Sequence, residues 1–140
     1  MKILLAVDGS PYSKKMLAYL ATHDGVFSPA NEYVVFTAQT ALPSRVRSAV
    51  GKEVVDSYYA EESEKVIAPV TKFLMRHGIN AKSISKVGSA GTLIAKMAED
   101  GKFDMVVMGS HGNGAWANLV MGSVATQVLA NCKVPVLMVR

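Results

Sequence analysis

Four residues near the C-terminus, Gly109, Gly112, Gly122 and Ser123, have the types and the spacing that suit the binding of a phosphate group. An apolar run of strand length precedes them at 103–108, and apolar residues at helical spacing follow them. A glycine segment between a strand and a helix exposes backbone N–H groups beside the positive end of a helix dipole. The pattern therefore predicts a phosphate-binding crossing from strand to helix.

Each residue of this segment has a predicted role. Gly109 and Gly112 allow positive φ and a close backbone approach. Gly122 keeps a side chain away from the phosphate, while Ser123 and the N–H of Val124 complete an anion cradle at the helix terminus. The alternative is that the glycines only form turns. Because no lysine follows Gly122 and the segment follows a late strand, neither a Walker loop nor a dinucleotide fingerprint fits.

Strand and helix signals alternate along the whole chain, with a polar loop at about 39–50. The predicted strands are 2–8, 32–38, 81–87, 103–109 and 135–139. The first predicted helix starts at Ser10–Pro11, and the other three cover about 53–77, 89–100 and 122–132. Such alternation indicates an open α/β fold, a parallel sheet with helices on both faces. Pro69 predicts a kink or a break in the long helix.

The ligand of an open α/β sheet lies beyond the carboxyl ends of its strands. Asp8 follows the first predicted strand, and Thr37 and Ala38 end the second. We therefore expect these residues to meet the glycine segment at one edge of the sheet. The last strand is apolar and is followed only by Arg140, which indicates an exposed sheet edge that favours pairing with a second copy.

Composition favours one compact domain over residues 1–140. Half of the residues are hydrophobic and 19% are charged, and no apolar run is long enough to span a membrane. Cys132 is the single cysteine, so no internal disulfide forms, and no secretory leader is recognised at the start. These features predict a cytoplasmic protein without a membrane partner.

The formal net charge of +4 does not form a stripe typical of nucleic-acid binding, so no nucleic-acid partner is expected. Three cations, Arg45, Arg47 and Lys52, fall in one short stretch after the second strand. A small anionic ligand beside this stretch would explain them, and so would a solvated loop.

The whole chain resembles the universal stress protein family. The resemblance rests on 7–10 (Val-Asp-Gly-Ser), on 134–139 (Val-Pro-Val-Leu-Met-Val) and on 107–112. Residues 109–123 also match, without a gap, the motif Gly-x₂-Gly-x₉-Gly-Ser/Thr that marks the ATP-binding branch of the family.

This resemblance implies a five-stranded parallel sheet of order 3-2-1-4-5 and a stress-response homodimer that pairs through Pro135 to Val139. It also implies ATP, ADP or AMP in the cleft, with Mg²⁺ or Mn²⁺. Asp8 would lie by the ribose or the metal, and the backbone of Ala38 would contact adenine. The residues that would hold ribose and phosphates are Gly109, Gly112, Gly122, Ser123 and Val124.

One departure from the family concerns charge, because the insert 113–121 carries no lysine or arginine. We therefore predict that Arg45 or Arg47 folds over the phosphates. The fluorescence of Trp116, inside the insert, is predicted to change when ATP binds.

Catalysis has little support in the sequence. Asp8 and His111 are the only acid–base candidates near the cleft, and no catalytic residue is assigned. The preferred function is a ligand-dependent regulatory homodimer with slow or absent hydrolysis, acting on an unidentified protein partner. The alternatives are a nucleotide-free dimeric scaffold and a slow ATP or AMP hydrolase of the adenine-nucleotide α-hydrolase group, whose Ser-Gly-Gly-x-Asp-Ser motif is missing here.

Overall fold

The structure is a computed structural model that describes residues 1–112 and 121–140. Its strands are β1 (Lys2–Ala6), β2 (Glu32–Gln39), β3 (Lys82–Val87), β4 (Met105–Gly109) and β5 (Val136–Val139). Its helices are α1 (Pro11–Thr22), α2 (Ser44–Val50), α3 (Lys52–Arg76), α4 (Ala90–Asp100) and α5 (Ser123–Asn131). Trp116 and the insert up to residue 120 lie outside the described residues, as does the prediction made for that tryptophan.

The five strands form one parallel sheet in the order β3-β2-β1-β4-β5. This confirms the predicted open α/β fold and its strand order. Side chains alternate across the central strand β1, so Ile3 and Leu5 pack with α1 and α3, while Leu4 and Ala6 pack with α4 and α5. Both faces of the sheet are therefore covered, which explains why β1 and β4 read as continuous apolar runs.

The start of α1 agrees with its sequence signals. Pro11 occupies the first turn, and the Ser10 hydroxyl accepts a hydrogen bond from the N–H of Ser13 at 3.4 Å. This cap fixes where the helix begins, directly after β1. It consequently fixes the direction in which the chain leaves the sheet at Asp8.

One sequence prediction about the region after β2 is wrong. The predicted loop contains α2, a helix with no buried residue, so the sequence shows no apolar face that would indicate a helix. The long helix α3 continues through Pro69, so of the kink or break predicted there, the break does not occur. Pro69 and Lys65, whose carbonyl loses its helical partner, are both exposed, so water can satisfy that carbonyl.

The two edge strands differ. Every residue of β3 is exposed, and Lys82 and Lys86 place charge along it. Strand β5 is apolar throughout and half-buried over most of its length. Val128 of α5 belongs to the core cluster on which Val136 and Met138 of β5 pack, whereas Leu129 of the same helix is 47% exposed. No helix in the described part of the chain is long and apolar enough to cross a membrane.

Candidate functional site

A cleft of about 840 Å³ opens at the carboxyl ends of β1, β2 and β4. Its volume lies in the range of small-molecule sites in proteins. The structure brings together seven of the predicted site residues in its lining: Asp8, Ala38, Gly109, Gly112, Gly122, Ser123 and Val124.

Asp8 is held in place by the start of α1. Its Oδ1 accepts hydrogen bonds from the Ser10 N–H and from the Ser13 hydroxyl, both at 2.9 Å. The Ser13 hydroxyl in turn accepts from the Asp8 N–H at 3.1 Å. Two charge-assisted hydrogen bonds to one oxygen fix the carboxylate, so its position in the cleft is set before any ligand arrives.

The glycines serve close approach rather than unusual dihedral angles. Neither Gly109 nor Gly112 has a positive φ, so the structure does not use that freedom of glycine at these two positions. A Cβ on Gly109 would lie 2.6 Å from the Tyr12 Cβ, and one on Gly112 would lie 2.6 Å from Asp8 Oδ2. Gly109 thus allows helix α1 to pack closely on the end of β4, whereas Gly112 allows the Asp8 carboxylate to lie against the glycine segment.

Gly122 joins the two ends of the glycine segment. Its N–H donates to the Ser110 carbonyl at 2.7 Å, and a Cβ at this position would lie 3.2 Å from the His111 Cα. Helix α5 begins at the next residue, and no side chain of residues 1–112 or 121–140 caps it. Ser123 and Val124 line the cleft, and their N–H groups, in the first turn of α5, have no helical partner.

One wall of the cleft is apolar. Phe36 and Ile94 are buried, and Ala125 is 2% exposed at the foot of α5. Ala38 lies at the end of β2 against the same packed layer. A flat apolar ring can pack on this wall while its edge meets the backbone of β2.

The cationic group of the cleft differs from the predicted one. Arg45 and Arg47 lie exposed on α2, outside the cleft lining. Instead, Lys65 of α3 lines the cleft, and its Nζ is 3.0 Å from Glu62 Oε1. The hydrogen bond and the charge of Glu62 raise the pKa of Lys65 above its usual value, so Lys65 stays protonated at neutral pH.

Lys65 was missed because nothing in the sequence showed that α3 runs along the mouth of the cleft. His111, in contrast, lies where it was expected. Its Nδ1 is 2.8 Å from the Ser110 hydroxyl, and its ring is 4.8 Å from the Tyr12 ring. Within the described ranges, no three histidine, cysteine or acidic side chains are grouped as metal ligands.

Comparison with known proteins identifies the group to which this fold and cleft belong. The model of the Universal stress protein family matches residues 1–140. The chain belongs to this family. The resemblance to this family that the sequence indicated is therefore confirmed over the full length of the chain.

Curated universal stress proteins align with nearly the whole chain. MJ0531 of Methanocaldococcus jannaschii is 25% identical over 139 residues, which are 99% of this chain and 81% of that protein. A Thermus aquaticus relative is 31% identical over 139 residues, which cover 99% and 97% of the two chains. Slr1230 of Synechocystis is 29% identical, but this chain spans only 42% of its length.

Solved structures share the fold. That of MJ0577 has a TM-score of 0.82 at 26% identity, with 99% of this chain and 94% of that chain covered. A universal stress protein of Archaeoglobus fulgidus in complex with dAMP has a TM-score of 0.67 at 17% identity, covering 100% and 98%. An Arabidopsis thaliana family protein with AMP bound has 0.69 at 15%, covering 99% and 90%. At these last two identities the likeness concerns the fold alone.

Proposed function

We propose that this universal stress protein binds an adenine nucleotide, ATP, ADP or AMP, in the cleft at the carboxyl edge of its sheet. The observation that carries the proposal is the arrangement of that cleft. An apolar wall, a fixed carboxylate and an uncapped helix start face one volume of about 840 Å³. Related folds that were solved with AMP and dAMP support the same ligand class.

The nucleotide is expected to lie along the cleft in one direction. The base packs on the wall that contains Phe36 and Ile94, with its edge at the backbone of Ala38. The ribose reaches Asp8, whose carboxylate accepts hydrogen bonds from the hydroxyl groups. The phosphates lie on the N–H groups of Ser123 and Val124, at the positive end of the α5 dipole.

A divalent cation fits this arrangement as a companion of the phosphates. Mg²⁺ is commonly held by one or two carboxylates together with phosphate oxygens and water. Asp8, which lines the cleft just after β1, is the carboxylate that would hold such a cation. Mg²⁺ or Mn²⁺ would therefore bind with the nucleotide rather than before it.

A regulatory homodimer through Pro135 to Val139 completes the proposal. Strand β5 ends the sheet, is apolar, and carries no charge between Val136 and Val139. The opposite edge, β3, carries two lysines that oppose pairing between copies. A cytoplasmic location, an unidentified protein partner and the absence of a nucleic-acid partner stay predictions.

Binding, not turnover, is the activity proposed. Phosphoryl transfer needs a positioned base and stabilisation of the transferred group. His111 is held by Ser110 and packs on Tyr12, which favours a structural role for its ring. The nucleotide-free dimeric scaffold stays the alternative, and it differs from the proposal in a single measurable property.

Calorimetric titration with ATP, ADP and AMP tests the proposal. Wild type should bind with one site per chain, and Gly122→Val should abolish binding, because the valine would press on backbone atoms of Ser110 and His111. Gly25→Val is the matched control, since no atom lies within 4 Å of a Cβ there. Wild type that binds no nucleotide at millimolar concentration contradicts the proposal and favours the scaffold.

A further inference from the structure

The ion pair of Lys65 and Glu62 has no role yet in the proposed site. Both residues belong to α3 and both line the cleft. Of the lysines and arginines that the structure describes, Lys65 alone lines it. A site for a polyanion thus contains one cationic side chain, and a carboxylate of the same helix already neutralises that side chain.

Helix α3 stands close to the centre of the cleft. A Cβ on Gly9 would lie 3.4 Å from Val66 Cγ2, so the turn that contains Lys65 packs against the loop after β1. In the same loop, Asp8 Oδ2 approaches Gly112. The loop of Asp8 and Gly9 therefore contacts both α3 and the glycine segment, and Lys65 and that segment line one cleft.

Lys65 can exchange Glu62 for another anionic partner at little cost in stability. The Lys65 side chain is 70% exposed and that of Glu62 is 34% exposed, and exposed ion pairs contribute little to stability. A phosphate group carries more charge than a carboxylate and offers several acceptor oxygens to an ammonium group. A nucleotide phosphate can therefore replace Glu62 at Lys65 with little loss in fold stability.

We propose that Lys65 is the side chain that pairs with the phosphates of the bound nucleotide, and that Glu62 is its competing partner in the empty cleft. This inference rests on the proposed function and deepens it, because it names the residue whose charge makes affinity depend on the phosphates of the nucleotide. It also replaces the arginines of α2 with a residue of α3.

Two consequences follow for affinity. Removing the charge of Lys65 should weaken binding of ATP but not of adenosine, which has no phosphate. Removing the charge of Glu62 should strengthen binding of ATP, because Lys65 then has no competitor. A variant that altered the fold or the base pocket would instead change the affinities for ATP and for adenosine in the same direction.

The test is calorimetric titration of adenosine and ATP into wild type, Lys65→Gln, Glu62→Gln and Lys72→Gln. Lys72 is an exposed lysine of the same helix outside the cleft lining and is the matched control. Lys65→Gln should weaken ATP binding about tenfold and reduce its salt dependence, as expected for one charged hydrogen bond. Glu62→Gln should strengthen it about two- to fivefold. Adenosine affinity and the Lys72→Gln variant should match wild type.

Three outcomes overturn the inference. Lys65→Gln could bind ATP as wild type does, or it could lose adenosine and ATP to the same extent. Alternatively, Arg45→Gln with Arg47→Gln could remove the salt dependence while Lys65→Gln leaves it intact. If wild type binds neither adenosine nor ATP, the proposed function itself is wrong. That result is measured in wild type alone, so it can be distinguished from a failure of the inference, which is measured in the variants.

Discussion

Replacing Gly109 by alanine should destabilise the fold, because the added methyl group would collide with helix α1. The new Cβ would lie 2.6 Å from the Tyr12 Cβ, 3.1 Å from its carbonyl carbon and 3.2 Å from its carbonyl oxygen. Two of these atoms are backbone, so no side-chain rotation can relieve the contact. The start of α1 must therefore move away from the end of β4.

The size of the effect follows from two opposing terms. A contact of 2.6 Å puts this overpacking in the upper part of the usual range, at about 2–3 kcal/mol. Alanine recovers about 0.5–1 kcal/mol of backbone entropy relative to glycine in a strand. The net loss in the free energy of unfolding should be about 1–2.5 kcal/mol, which lowers the melting temperature of a 140-residue chain by about 3–9 °C.

Differential scanning calorimetry of Gly109→Ala beside Gly25→Ala measures this loss. Gly25 has no positive φ, and no atom lies within 4 Å of the position that an added methyl group would take there. Its alanine variant should therefore melt at the wild-type temperature or slightly above. If Gly109→Ala melts at or above the wild-type temperature, α1 does not press on this glycine, and the explanation given for it is wrong.

Three further predictions concern the cleft, the edge strand and alkaline stability. Gly112→Ala should weaken nucleotide binding in calorimetry while leaving the melting temperature within about 2 °C of wild type, because its methyl group would press on the Asp8 carboxylate in the cleft and on no backbone or core atom of the described residues. Met138→Pro should convert the proposed dimer to a monomer in sedimentation velocity and Ser85→Pro should not, because both remove an outward N–H but only β5 is the proposed interface. Burial raises the pKa of the Tyr33 phenol above 10.0, so the unfolded chain loses this proton first and stability should fall as the pH rises above 10.0. Tyr33→Phe should flatten that fall in thermal melts.

The orientation of the Met138 amide follows from the ladder between β4 and β5. The carbonyls of Pro135 and Val139 accept hydrogen bonds from Val106 and Ser110, so odd-numbered residues of β5 face β4. Met138 therefore faces the outer edge. A Met138→Pro chain that still sediments as a dimer would contradict pairing through β5.

Much of the fold could be predicted because its signals are local. The alternation of apolar strands with capped helices indicated the parallel sheet, and Ser10 with Pro11 marked the start of α1. Helix α2 could not be predicted, because none of its residues is buried and no apolar face distinguishes it from a loop. Its two arginines were consequently placed in a flexible segment that could cover the cleft.

The role of each site residue depended on tertiary contacts that the sequence does not contain. Gly109 matched a phosphate-loop motif, yet the atoms nearest to its missing side chain belong to Tyr12, almost a hundred residues earlier. Lys65 looked like an ordinary exposed lysine until the packing of α3 on the loop after β1 brought it to the cleft. The motif thus indicated where the ligand lies, while the helices around it determine which side chains face it.

Backbone amide shifts during an AMP titration test the central claim most directly. In ¹⁵N-labelled protein, the amides of Ala38, Ser123 and Val124 should shift in a saturable manner, because these residues line the cleft where the base and the phosphates are proposed to bind. The amides of β3, at the far edge of the sheet, should not move. No saturable shift at millimolar AMP, or shifts confined to residues outside the cleft, would contradict the account.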